Sequence, residues 1–382
     1  MARNTTAVNT SSEGNGDDWV GTTYVESPLV PDDVVDGDDW VGPGYDVTNY
    51  GCASLPADEG SPFYWIMGTT MSVKRMIISG NGYIMVVADN SGVIIVLVRY
   101  INTYVIVQKI DTESFDVVMS LNHDGKILVV GGSTSDTVYV YMCNSSNLDE
   151  KPHFVNIQQI PMCVTRIVIT GNAEIIYCLH RVSRLTGDSH VRVISNFLNR
   201  YRVNPQSLPM RYGVLCLVPP TVFANGIVGI ESGGRFHVWR HCSDRNVYVK
   251  IQLFEFPRCL SRITCVAMKG RELTVGTIGG KILFFSWNGN AYVKQREEKA
   301  HQEEVSCLAF VPNGNIVSGS CDGTIKIWCS IGKHKVVLRH IRSVHGDFAV
   351  FTLVVTSEGL LICGCEDGSV MIFSEALVNP LS

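Results

Sequence analysis

The residue types that could do proton or nucleophilic chemistry gather between positions 301 and 328: His301 followed by Glu303 and Glu304, a hydroxyl at Ser318, and a carboxylate at Asp322. A histidine near carboxylates is the usual means of moving protons at neutral pH, and a histidine near a serine the usual means of activating a nucleophile. The other frames for such chemistry are missing from the sequence. No glycine-rich loop ends in Lys-Ser or Lys-Thr, no His-Glu pair has metalloprotease spacing, and there is no nucleophile elbow. Gly80-Asn81-Gly82 lacks a third glycine and precedes a strand, so it reads as a turn. Cys363 and Cys365 would share one face of a strand, but no second Cys or His pair of zinc-site spacing accompanies them. The expectation is a non-enzyme with no metal and no cofactor.

The elements that hold these side chains read as strands. Val305, Cys307, Ala309 and Val311 alternate with polar positions, Pro312 to Asn315 forms a turn, and Ile316-Val317 opens a second strand. Asp322-Gly323 is a hairpin turn, since glycine accepts the positive φ the turn needs, and Thr324 to Trp328 makes a third strand. This run resembles one repeat of the WD40 family, with a His before the first strand, a small hydroxyl on the second, an Asp in the next turn and a Trp closing the third. The resemblance implies that His301, Ser318, Asp322 and Trp328 form a buried hydrogen-bonded tetrad, which moves His301 from chemistry to structure. Cys329 stands where the family has Asp.

One such unit cannot bury its own faces, so the pattern must recur. Strand–turn–strand units end at Val98, Tyr141, Ile194, Trp239, Phe285, Trp328 and Phe373, at separations by subtraction of 43, 53, 45, 46, 43 and 45 residues. Six of the seven lack the full motif and are recognised by spacing and alternation. Phe63 to Met67 is an apolar run with no partner of its own, while too little chain follows Phe373 for an outer strand. The predicted fold is therefore all-β: a seven-bladed WD40-type propeller over 62–382, its last blade closed by the strand at 63–67. Closure removes the exposed edges of an open sheet. Between Leu179 and Val191 the third unit is predicted to carry a basic excursion with His180, Arg181, Arg184 and His190.

Charge divides the chain. Residues 1–61 hold 12 acidic side chains and only Arg3 as a base, or 1 − 12 = −11, leaving +6 for the remainder to give the net −5. Such a segment is too charged and too poor in apolar periodicity to offset its ordering entropy, and it reads as a disordered acidic tail. Within it Gly16-Asp17-Asp18-Trp19-Val20-Gly21 is duplicated as Gly37-Asp38-Asp39-Trp40-Val41-Gly42. An aromatic behind paired carboxylates suits a short docking motif, the ring filling a pocket and the acids steering it to a basic rim. The 13 cysteines mostly fall in apolar strand patterns, and the Asn- and hydroxyl-rich opening is no signal peptide. With no run of ~18 apolar residues to span a membrane, the protein is expected in the cytoplasm or nucleus and not secreted.

The loops between second and third strands, with the links between units, form the face that usually binds in such propellers. There Arg181, Arg184, Arg211, Arg235, Arg258, Arg262 and Lys281 make a basic sector, whereas the last two units bring Glu303, Glu304, Asp322, Asp347, Glu366 and Asp367. The sign suits an acidic ligand. Three readings follow: a protein-interaction scaffold whose partners are proteins, including acidic or phosphorylated segments; an RNA- or nucleoprotein-associated propeller, weakened by few aromatics for stacking beyond Tyr201, Tyr212 and Phe236; and a ubiquitin-ligase substrate receptor. The last is weakened because neither Trp328-Cys329-Ser330-Ile331 nor Trp239-Arg240-His241-Cys242 supplies the Asp and Arg of the adaptor-binding box.

Overall fold

A computed structural model of the chain describes residues 63–66 and most of 72–373. Outside the description lie 1–62, 67–71, 90, 101–102, 113, 115, 145–151, 182–188, 211–213, 219–225, 232–234, 243–244, 246, 256–261, 332–333, 343–347 and 374–382. Described residues form strands and turns, with no helix among them. A first strand, β1 (Phe63–Ile66), precedes seven units. Blade one is β2 (Val73–Ile78), β3 (Ile84–Asp89), β4 (Val93–Tyr100) and β5 (Thr103–Asp111); blade two is β6 (Val117–Leu121), β7 (Ile127–Gly132), β8 (Thr137–Cys143) and β9 (Phe154–Pro161). Blade three is β10 (Val164–Ile169), β11 (Ile175–Arg181), β12 (Ser189–Phe197) and β13 (Arg200–Met210); blade four is β14 (Val214–Val218), β15 (Ile227–Glu231), β16 (Arg235–Cys242) and β17 (Val247–Glu255). Blade five is β18 (Ile263–Lys269), β19 (Glu272–Thr277), β20 (Lys281–Trp287) and β21 (Tyr292–Lys299); blade six is β22 (Val305–Phe310), β23 (Ile316–Ser320), β24 (Thr324–Ile331) and β25 (His334–Arg342). Blade seven has β26 (Val350–Val355), β27 (Leu361–Cys365) and β28 (Ser369–Phe373), and β1 is its fourth strand.

Every blade is an antiparallel four-stranded sheet in chain order except the last, whose order β1-β28-β27-β26 closes the ring with the chain's first strand. The second strands are buried on both faces, because neighbouring sheets pack against each side: β3, β15, β23 and β27 are buried throughout.

Two recurring devices bind successive blades at several junctions, and neither belongs to the four-residue motif. First, the innermost strand bulges near its start in six blades, as at Val305/Cys307. A bulge re-aims the extra side chain. In blades five and six that side chain donates to the first carbonyl of the next inner strand, Thr264 Oγ1 to Val305 O (2.5 Å) and Ser306 Oγ to Val350 O; in blade one the residue after the extra one, Arg75, does so through Nε to Val117 O (3.0 Å).

Second, a glutamine on each outer strand from blade one to blade four clamps an aromatic residue heading the next outer strand. Gln108 donates to Phe154 O (3.0 Å) and accepts from Phe154 N–H (2.7 Å); Gln158 does the same with Tyr201 (2.7 and 2.9 Å), Gln206 with Tyr248 (2.9 and 2.7 Å) and Gln252 with Tyr292 (3.5 and 3.0 Å). Such an amide matches a peptide group donor for acceptor. The clamped tyrosines then tie down their own blade: Tyr201 donates to Ala173 O (2.8 Å), and Tyr104, the equivalent residue of blade one, donates to Gly82 O (2.6 Å). Burial pushes the Tyr104 phenol up to about 12, so it remains a donor.

The strands of blade three run further than the sequence suggests. β11 and β12 stay paired out to Arg181 opposite Ser189, so the predicted excursion is ladder at both its ends, and 182–188 lie outside the described residues. His180 and His190 sit in the ladder, where Nδ1 of each has a local partner, Cys163 O (2.8 Å) and Ser207 Oγ (3.0 Å). The outer strand β13 contains Pro205 and Pro209. Prolines weaken a strand pattern in sequence but are tolerated on a sheet edge, where one side of the backbone needs no ladder partner.

Candidate functional site

In blade six the four motif residues come together. Trp328 Nε1–H donates to Ser318 Oγ (2.9 Å), Ser318 Oγ lies 2.8 Å from His301 Nε2, and His301 Nδ1 lies 2.8 Å from Thr324 Oγ1. Asp322 ends the chain: Oδ1 accepts from the Thr324 N–H (3.0 Å) and hydroxyl, Oδ2 accepts from Gln302 N–H (2.9 Å) and is 3.3 Å from His301 Nδ1. Run in one direction, each donor is used: indole to serine, serine to imidazole Nε2, Nδ1–H to threonine, threonine to carboxylate. That proton placement follows from the network. Thr324 is a fifth member that the four-residue motif does not name. His301 is only 2% exposed and spoken for on both ring nitrogens, so its arrangement ties strands together across a loop and a turn.

Asp322 is tuned by the same contacts. Burial works to raise its pKa, but the bonds from Thr324 and Gln302 and the nearby His301 outweigh it and hold the carboxyl below the ordinary range. The preceding blade presses on this site through Gly280, whose carbonyl accepts the N–H groups of Ala300 (2.8 Å) and His301 (2.9 Å). Its φ is 70°, and a Cβ there would lie 2.3 Å from His301 O, so only glycine fits.

Blade four builds the corresponding place from other residues. Met210 stands at the histidine position and Gly229 at the serine position, Met210 filling the space a Cβ on Gly229 would need; a Cβ there would meet Met210 Cε at 2.6 Å. Trp239 keeps the closing position, 2% exposed. Beside it the polar contacts sit two residues along each strand: His237 stacks on Trp239 (5.2 Å between centroids), its Nε2 is 2.8 Å from Glu231 Oε1, and Lys250 Nζ is 3.0 Å from its Nδ1. Burial lowers the Lys250 pKa, with Glu231 opposing.

The face carrying the turns between second and third strands is electrically uneven. On blades six and seven Glu304, Glu303, Glu366 and Asp322 surround Cys321, whose thiol is pushed to about 12, by burial first and then by those carboxylates. On blades three to five, Arg181 ends β11, Arg235 begins β16, Arg262 immediately precedes β18 and Lys281 begins β20, so the backbone brings all four to this face. Lys281 Nζ is held 2.7 Å from Glu297 Oε1, and Arg262 acts on Glu304, whose pKa burial raises. Arg184, Arg211 and Arg258 lie outside the described residues, as do Asp17, Asp18, Trp19, Asp38, Asp39 and Trp40.

Cys363 and Cys365 are buried together with Cys307 in the apolar layer between blades six and seven. Burial raises the Cys363 thiol and pushes that of Cys307 up to about 12, the behaviour of small hydrophobic side chains. Among the described residues there is no group suited to a metal ion and no helix long and apolar enough to cross a membrane.

Seven four-stranded sheets in a closed ring define a seven-bladed β-propeller. The WD40 family (WD domain, G-beta repeat) matches residues 293–329, the blade that holds the hydrogen-bonded chain. Blade six thus matches a WD40 repeat, and the ring has the fold of the WD40-repeat propellers. The WD40 β-propeller domain of Doa1 superposes with a TM-score of 0.59 at 14% identity, over 81% of this chain and 95% of that one. Echinoderm microtubule-associated protein-like 4 is 27% identical over 124 residues in Xenopus tropicalis and 29% over 119 in Homo sapiens. Each match covers 28% of this chain but only 13% and 12% of the relative, so the chain spans a small part of those proteins.

Proposed function

We propose that the protein is a non-catalytic scaffold that assembles protein complexes, taking acidic or phosphorylated segments on the loop face of blades three to five and using the repeated tail motif as a docking arm. The observation that carries this reading is where the polar side chains go. His301, Ser318, Thr324 and Asp322 are consumed in one buried chain, and the outer-strand glutamines in clamps, so the rigid ring leaves its loops as the working surface. The opposition of a carboxylate cluster on blades six and seven to cations on blades three to five supports an oriented acidic partner.

The test is an array of acidic and phosphorylated peptides probed with the full chain and with its Arg181→Glu/Arg184→Glu and Arg211→Glu/Arg258→Glu variants. Binding that falls at least tenfold in both variants supports the reading; binding indifferent to both overturns the choice of face. A parallel RNA titration distinguishes the nucleic-acid alternative, which requires tighter binding to RNA than to any peptide and a steep loss with salt. Because the partly matched relatives are microtubule-associated by name, polymerised tubulin belongs in the same panel.

A further inference from the structure

The face opposite those loops carries the most exposed apolar side chain described. At the hairpin joining β12 to β13, Leu198 is 85% exposed and Phe197 57%. Leu198 and Asn199 both have positive φ, 52° and 61°. A two-residue hairpin of this shape favours Asn-Gly, and a leucine there is disfavoured by its Cβ as well as by its exposure. Arginines frame the tip. Arg202 lies with its guanidinium 5.3 Å from the Phe197 ring centroid, Arg200 is exposed beside it, and Arg240 and Arg245 are exposed on the corresponding hairpin of blade four. The carboxylates of these turns are Glu174 and, in the sequence, Asp244. An apolar knob held in a costly turn, with two cations on its own hairpin and two on the next, fits an occupant that pairs carboxylates with a large apolar side chain.

The chain itself contains such an occupant. Antiparallel pairing of β1 with β28 sets Phe63 opposite Ile372 and Ile66 opposite Ser369, so Phe63 lies at the end of blade seven away from the turn that opens β28. That is the face of the Phe197-Leu198 hairpin, and residues 1–62 are attached there. The attached segment carries 12 acids against one base and repeats Asp-Asp-Trp-Val at 17–20 and 38–41. From Phe63 to blade three is three blade steps, at least about 30 Å at a sheet spacing of ~10 Å and more at the rim, where blades fan apart, and the residues between Trp40 and Phe63 can extend to roughly 70 Å.

We propose that the repeated Asp-Asp-Trp-Val segment of this chain docks on its own propeller at the Phe197-Leu198 hairpin, its carboxylates against Arg200, Arg202, Arg240 and Arg245. Tethering gives the segment a high effective concentration at this face, so a weak contact is occupied. The docking arm then has a resting place on its own ring, and a partner that takes the tail displaces it.

Fluorine NMR of the full chain carrying 5-fluorotryptophan tests this, with Trp19 and Trp40 assigned through their Phe variants. At low salt the Trp19 or Trp40 resonance is expected away from its position in a synthetic peptide of residues 12–45, and to return to it at high salt. Leu198→Asn suits the positive φ and keeps the turn while removing the knob; it is expected to move the resonance to the peptide position and to leave those of Trp239, Trp287 and Trp328 in place. Arg200→Glu with Arg202→Glu should do the same. Wild-type resonances already at the peptide position overturn the proposal and leave the hairpin to another protein. Displaced resonances that ignore Leu198→Asn and the arginine reversals, or follow Arg181→Glu/Arg184→Glu instead, overturn it as well. Loss of peptide-array binding leaves this result untouched, so the two proposals fail separately.

Discussion

Gln158 of blade two and Tyr201 of blade three exchange two hydrogen bonds, Nε2 to O at 2.7 Å and N to Oε1 at 2.9 Å, across 43 residues of sequence. The same pairing recurs at three other junctions, between blades whose four-residue motif is degenerate. Gln158→Ala should cost ~1–2 kcal/mol, since water can replace part of what a half-buried amide supplies. Gln252→Ala, where the donor distance stretches to 3.5 Å, should cost less. Urea unfolding of the two variants checks the order, and a larger loss for Gln252→Ala would mean that the clamp geometry does not set the energy.

Ser318 is the hub of the buried chain, facing both Trp328 Nε1 and His301 Nε2. Ser318→Ala strands two buried polar atoms and is expected to destabilise by about 2–4 kcal/mol, against ~1–3 for Asp322→Ala, whose site is partly open to water. Chemical denaturation of each variant gives the comparison. An unchanged midpoint for Asp322→Ala would show that the turn carries its own weight without the carboxylate.

The Asp322 carboxyl also sets a pH dependence. Its folded pKa is depressed from 3.8, so its stabilisation is complete above that value and is lost as the pH falls through the lower, folded one. The stability gap between wild type and Asp322→Asn should therefore be widest near neutrality and narrow below about pH 4. A gap constant from pH 6 to pH 2 would contradict the assignment.

Gly280→Ala should destabilise by roughly 2–4 kcal/mol, because it combines a positive φ with a Cβ set 2.3 Å from the backbone at His301. The loss should be felt in blade six as well as blade five. Amide hydrogen exchange would show it as faster exchange at Val305 to Phe310 in addition to the β19–β20 turn.

Removing residues 1–61 should leave a cooperatively folding ring, whereas removing 1–70 deletes β1 and bares the β28 edge along four register pairs. The shorter form should melt earlier and associate with itself, as unpaired edges do. Equal melting and equal sedimentation of the two forms would argue against closure by this strand.

Much of the ring was legible along the chain because alternation and turn residues act locally: Asp322-Gly323 marks its hairpin, and an orphan apolar run at 63–67 has only one open edge to fill. His301, Ser318, Asp322 and Trp328 were legible through their spacing. Thr324 was not, since a threonine on a strand has no distinctive pattern until a histidine from an earlier link arrives beside it. The four glutamine clamps were invisible for a similar reason. Gln108, Gln158, Gln206 and Gln252 look like solvated edge residues until the next blade supplies an aromatic and its peptide group 40 to 46 residues later.

Seven units, their order and the strand that closes them were determined by the sequence alone, because period-two burial and tight turns are properties of neighbouring residues. Tertiary packing decided which polar groups meet. It placed Met210 and Gly229 where the motif puts histidine and serine, and bound Lys281 to Glu297. It also set Phe63 on the same face as Leu198. Those contacts join residues far apart in the chain, and only the closure of the ring fixes the distances between them.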